Sequence, residues 1–145
     1  MSTEEACDYL VIGAGIAGMT FHRFCEGAEV VVCDPRPGRY KIGESIVPQH
    51  FFPKELAPLL EAARALPSAS PKRGTVFVTD EGAAFFHAYY DAEYTIHVDR
   101  RELEDLYRRA FEVPIRRERV LSVDVEKRLV ETDRRRYRVR RLIVD

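Results

Sequence analysis

The 145-residue chain has no tryptophan, two methionines and three cysteines. Cys7, Cys25 and Cys33 are odd in number and none forms a Cys-x-x-Cys pair. That argues against a disulfide framework or a zinc knuckle and for a reducing, cytoplasmic setting. Histidine is also sparse: His22, His50, His87 and His97 show no metal-ligand spacing. His87 and His97, in neighbouring predicted strands, read as ordinary partnered side chains. No apolar run approaches the roughly 20 residues of a membrane span. The acidic N-terminus reads as neither a signal nor a transit peptide. A net charge of -1 gives no general pull toward nucleic acid.

What remains is an ordinary globular composition, 46% hydrophobic and 32% charged, long enough to bury a core as one domain. The charge is unevenly spread. Residues 1–99 hold 8 Lys+Arg against 14 Asp+Glu, and residues 100–145 hold 15 against 10. The basic end reads either as a phosphate-contacting surface or as the solvated face of strands.

Residues 8–13 are an apolar, β-branched run ending in glycine, the pattern of a strand inside a parallel sheet. Gly13, Ala14, Gly15, Ile16, Ala17 and Gly18 follow, then a short helix, then a second apolar strand over 28–34 that ends in Asp34. This is one βαβ unit. Gly13 permits the tight turn, Gly15 lets a pyrophosphate approach the backbone, and Gly18 lets the helix pack close to the strand. The helix N-terminus offers free N–H groups and partial positive charge to phosphates. Asp34 lies 21 residues after Gly13, where a carboxylate accepts hydrogen bonds from a ribose diol. The plainer alternative is a glycine-rich turn with no ligand. The helix between Gly18 and Gly27 is short, about two and a half turns.

Residues 35–48 read as a loop. A helical stretch follows from His50 to Leu66, with Pro53 in its first turn and Pro58 kinking or splitting it. Strands are expected at 75–79, 83–90 and 94–98, with a turn at 80–82. Their aromatics Phe85, Phe86, Tyr89, Tyr90 and Tyr94 read as sheet packing or as a pocket lining. Asp99 caps an amphipathic helix to Phe111, with Glu102 at capping-box spacing and a buried stripe of Leu103, Leu106, Tyr107 and Ala110. Short strands are expected at 113–115, 120–125, 129–132, 137–139 and 142–145.

The segments Gly13–Gly18, Asp34, Arg39–Pro48 and Val98–Leu103 together resemble the flavin-dependent halogenases and the neighbouring geranylgeranyl-reductase-like and aromatic-hydroxylase-like FAD monooxygenases. The Ile-Gly-Glu-Ser-x-x-Pro loop is the most specific part. The resemblance implies an N-terminal, FAD-binding portion, with the ADP half of FAD on the first βαβ unit and the ribose on Asp34. It further implies that Arg39, Ile42, Gly43, Glu44 and Ser45 lie along the flavin side of the cofactor, and that Arg100 reaches back to it; Val120 is a further cofactor candidate, and Arg36 with Arg39 would suit a 2′-phosphate if the unit took NAD(P), although Asp34 would repel it. A guanidinium is a good phosphate partner. The alternative for Arg100 is a surface ion pair with Glu104.

Lys72 resembles the halogenase lysine that meets oxidised halide, although the tryptophan often found near the following strand's end is missing. In a complete enzyme of this kind, reduced FAD and O2 would hydroxylate or halogenate a small organic substrate. NAD(P)H or a separate flavin reductase would supply electrons. Alternatives are a geranylgeranyl-reductase-like enzyme, a catalytically incomplete nucleotide-binding fragment or split subunit, and NAD(P) in place of FAD. The expected architecture is α/β: a Rossmann-like core of parallel strands at 8–13, 29–33, 113–115 and 142–145, in one domain. The meander at 119–141 would be a crossover, and residues 73–98 the start of a substrate-side sheet. Motifs that would follow in the family are absent, so surfaces left open would be covered by a complementing C-terminal portion, another partner or a dimer.

Overall fold

The computed structural model describes residues 4–39, 41–46, 53–88 and 95–144. Its elements in chain order begin with β1 (Glu4–Ile12), α1 (Ile16–Phe24), β2 (Val30–Cys33) and β3 (Glu44–Ile46). A 3-10 turn (Lys54–Leu56) runs into α2 (Ala57–Arg64). Then come β4 (Ser70–Pro71), β5 (Gly74–Val78), β6 (Ala84–Ala88), β7 (Ile96–Val98) and α3 (Arg100–Phe111). The last four are β8 (Ile115–Arg116), β9 (Val120–Asp124), β10 (Leu129–Thr132) and β11 (Arg136–Val144). The chain divides into two compact units, Met1–Arg39 with Tyr107–Asp145 and Tyr40–Leu106. The second is wider than the insertion at 73–98 that the sequence suggests.

The first unit is α/β. Its six-stranded sheet runs β8-β2-β1-β11-β10-β9. It is parallel from β8 to β11 and antiparallel from β11 to β9. The strands of the meander hydrogen-bond onto β11 and extend the sheet. Residues 117–119 alone join the two opposite edge strands. Such a link reaches at most about 14 Å, whereas five flat inter-strand steps cover about 24 Å. The sheet must roll, and Tyr137 on β11 consequently faces the Cys33 thiol on β2. Cys7, Leu10, Val31, Cys33, Val130, Tyr137 and Val139 form the core enclosed by that roll.

The two strands expected at 137–139 and 142–145 are one continuous strand, β11. Opposite Cys7 stands Val139, and opposite Tyr9 stands Leu142. β11 thus carries one extra residue there, a bulge that shifts the side-chain alternation. The sequence reads this as a break between strands. The strand expected at 113–115 lies instead at Ile115–Arg116.

Charge asymmetry becomes pairing in this unit. Glu4 meets Arg138 at 3.0 Å, Glu5 meets Arg135 at 2.6 Å and Asp8 meets Arg140 at 3.0 Å. The acidic first strand lies against the basic last one, so these arginines are partnered within the fold.

The second unit holds the antiparallel sheet β3-β7-β4 and a separate two-stranded hairpin, β5-β6. β3 forms within the stretch expected as loop. Pro58 sits in the first turn of α2, where its missing N–H costs nothing; positions 50–52 of the expected helix lie outside the described residues. The turn at 80–82 forms as expected, with Gly82 at φ +81. Phe85 and Phe86 are exposed, as are Val76, Phe77 and Val78, so they are not core packing. Phe85 stacks on Phe77. Tyr89, Tyr90 and Tyr94 lie outside the described residues.

Asp99 caps α3 by accepting Arg101's N–H at 2.7 Å. Glu102 does not return to the cap. It accepts the Ser68 hydroxyl and N–H, and Ser68 Oγ accepts Asp99's N–H. Leu103 and Tyr107 are buried along the helix, while Ala110 is exposed and Glu104 is buried in its place.

Candidate functional site

The β1–α1 turn carries the geometry that its glycines demand. Gly13 adopts φ +100, a conformation side chains disfavour, and its N–H donates to Cys33's carbonyl at 2.8 Å. A Cβ on Gly18 would stand 2.4 Å from Gly13's carbonyl oxygen and 2.9 Å from Val11 Cγ1. Helix and strand therefore meet at a distance only glycine allows. Gly15 is the N-cap of α1 and no side chain caps it, so the first-turn N–H groups stay open to an anion. Ile16 and Ala17 open that helix, Ala17 exposed.

Asp34 stands at this mouth. Its Oδ2 accepts the Ala14 N–H at 3.0 Å and its Oδ1 accepts the Arg36 N–H at 2.8 Å. Ala14's N–H is thus committed to the acid and is not open to a phosphate. An ionised carboxylate has about four lone-pair sites, so capacity remains on both oxygens for a vicinal diol. Arg36 and Arg39 are exposed, in a loop turned at Gly38 with φ +76.

One partner of this site was invisible in the sequence. Asp34's N–H donates to the Arg116 carbonyl at 2.9 Å, and Glu118's N–H donates to the same oxygen at 2.8 Å. Val120, half-buried against the sheet core, begins β9 two residues later. Glu118 has no local motif; only the pairing of β2 with β8 brings it here.

The remaining candidates belong to the second unit. Ile42 is exposed, and a Cβ on Gly43 would come within 3.1 Å of Val98's carbonyl oxygen. Ser45 Oγ is buried with no hydrogen-bond partner among the described residues. Arg100 pairs with Glu44 and, at 3.0 Å, with Glu104, whose buried carboxylate also takes Lys41 at 2.7 Å. This is a compact four-charge cluster, not the exposed i,i+4 pair of the plainer reading. Lys72 is half-buried in the link between β4 and β5, its N–H on Thr95's carbonyl at 2.9 Å. His87 and His97 lie on different sheets. No cluster of metal-ligating side chains occurs among the described residues, and no helix among them is long and apolar enough to cross a membrane.

The turn suits an adenosine diphosphate group: an uncapped helix start, an excluded Cβ at Gly18, and a carboxylate with free lone pairs beside it. No family model matches the chain, and no curated protein sequence does. Solved structures do share its fold. The flavin-dependent brominase Bmp2 matches with a TM-score of 0.69 at 18% identity, over 97% of this chain and 38% of that one. PqsL of P. aeruginosa, in complex with 2-aminobenzoylacetate, matches at 0.63 and 19%, over 96% and 42%. The p-nitrophenol 4-monooxygenase PnpA of Pseudomonas putida DLL-E4 matches at 0.63 and 16%, over 92% and 40%. The chain thus spans about two fifths of the length of these three proteins and has the fold of that part of them.

Proposed function

We propose that this chain is the FAD-binding portion of a flavin-dependent oxidoreductase of the monooxygenase or halogenase type, acting on a small organic substrate. The observation that carries the reading is Asp34, fixed by the Ala14 N–H at the uncapped start of α1. The first unit's residues then divide the work. The uncapped α1 N-terminus from Gly15 to Gly18 neutralises the paired phosphates, and Asp34 accepts the ribose hydroxyls. A 2′-phosphate would meet the Asp34 carboxylate at close range, which favours FAD over NADP. When bound, the flavin supplies electron transfer and oxygen chemistry.

On this reading Ile42–Ser45, Arg100 and Val120 are further cofactor candidates, and Lys72 is the candidate for halide chemistry. The exposed apolar hairpin supports a surface completed by more polypeptide, in line with the length of the neighbours. The test is calorimetric titration of the folded chain with ADP and FAD. Saturable binding of both, lost in Asp34→Ala, is expected; a folded chain that binds neither overturns the proposal.

A further inference from the structure

We propose that Glu118 is a positioning residue for the nucleotide turn, acting through the Arg116 carbonyl to hold Asp34 in place; this rests on the function proposed above. Glu118 lies in the link 117–119, where the two edges of the rolled sheet are drawn together. Its side chain is buried, at 2% exposure. Oε2 accepts the Tyr137 hydroxyl at 3.0 Å and the Thr132 hydroxyl at 2.8 Å. Oε1 lies 2.8 Å from Arg135 Nε. That N–H does not aim along the contact, so the attraction there is Coulombic. One carboxylate therefore ties the β10–β11 hairpin to the link.

The tie transmits directly to the site. Glu118's own N–H and Asp34's N–H converge on the Arg116 carbonyl. Arg119, next in the link, donates its N–H to the Asp133 carboxylate, and its carbonyl accepts the Asp133 N–H, each at 2.9 Å. Fixing the link fixes the carbonyl, and the carbonyl fixes the backbone from which the Asp34 carboxylate spans Ala14 and Arg36. A buried carboxylate costs several kcal/mol in desolvation unless its oxygens are satisfied, and here both are engaged. Glutamine keeps the volume but presents one acceptor oxygen and an amide that repels Arg135.

The experiment compares Glu118→Gln with Val130→Ala, a core truncation at a residue outside the link. Amide hydrogen exchange is read by NMR in the ligand-free chain, followed by titration with ADP and with its 2′-phosphorylated analogue. Glu118→Gln should speed exchange at Asp34 and Ala14 relative to Leu10. It should also weaken ADP about tenfold, equivalent to one lost hydrogen bond to a charged group, and narrow the preference over the 2′-phosphate. Val130→Ala should change none of these ratios. Equal exchange profiles in the two variants overturn the proposal. If Glu118→Gln does not fold, Tyr137→Phe removes one donor at nearly constant volume and is read the same way. A wild-type chain that binds no ADP or FAD defeats the proposed function, while the exchange comparison still decides the role of Glu118.

Discussion

Asp8 and Arg140 meet at 3.0 Å beside the bulge, and Asp8 is the one β1 residue between Glu4 and Val11 that the pairing with β11 skips. Its carboxyl is held below the usual carboxylate range, first by the Glu29 N–H at 3.0 Å and then by Arg140. A depressed folded-state pKa contributes stability that is full above the unfolded value, about 3.9, and lost as pH falls through the lower folded one. Asp8→Asn should therefore lower the urea midpoint at pH 7. The gap to wild type should close as both are followed below about pH 4.

Gly18→Ala places a methyl against Gly13's carbonyl oxygen and Val11. The resulting overpacking should cost about 1–3 kcal/mol in chemical denaturation. Ala17→Ser, one position earlier on the exposed side of the same helix, should stay within about 0.5 kcal/mol of wild type.

Ser68→Ala removes the hydroxyl that bridges Asp99's N–H and the Glu102 carboxylate. A cap-like loss of about 1 kcal/mol is expected. Ser68→Thr keeps the hydroxyl and should recover most of it in the same denaturation assay.

Burial pushes the Cys33 thiol up to about 12, with the Glu118 charge adding to it, and the Cys7 thiol up to about 11. Thiolate is the reactive form, so at pH 8 both should resist an aromatic disulfide reagent while the chain is folded. Half-buried Cys25 should be the thiol that the reagent modifies. Unfolding in guanidinium should release the other two, and prompt modification of all three without denaturant would contradict the burial described.

The parts of this molecule that were legible in the sequence are those whose requirement is local. Gly13 and Gly18 announce a turn and a close approach because only glycine tolerates them, and Asp34 follows at the spacing one βαβ unit imposes. Asp99 is legible as a cap for the same reason. Glu118 and the β11 bulge were not, because their meaning depends on strands far away in sequence: Glu118 is an ordinary acid until β8 pairs with β2, and residues 139–142 look like a break until they lie against Cys7 and Tyr9. Phe85 and Phe86 misled in the opposite direction. An apolar run in a strand normally marks a core, yet this hairpin exposes apolar side chains from both of its strands.

The adjacency of β1 and β11 also bears on how the chain comes into being. Asp8 and Arg140 are 132 positions apart, and β1 lies between β2 and β11 in the sheet. During synthesis the first strand leaves the ribosome with one flank unfilled and keeps it so until β11, 132 positions on, has been translated. Closing so distant a pairing is slow. For that interval Cys7 and Leu10, which end among the most enclosed groups of the molecule, face solvent and whatever chaperones patrol the nascent chain.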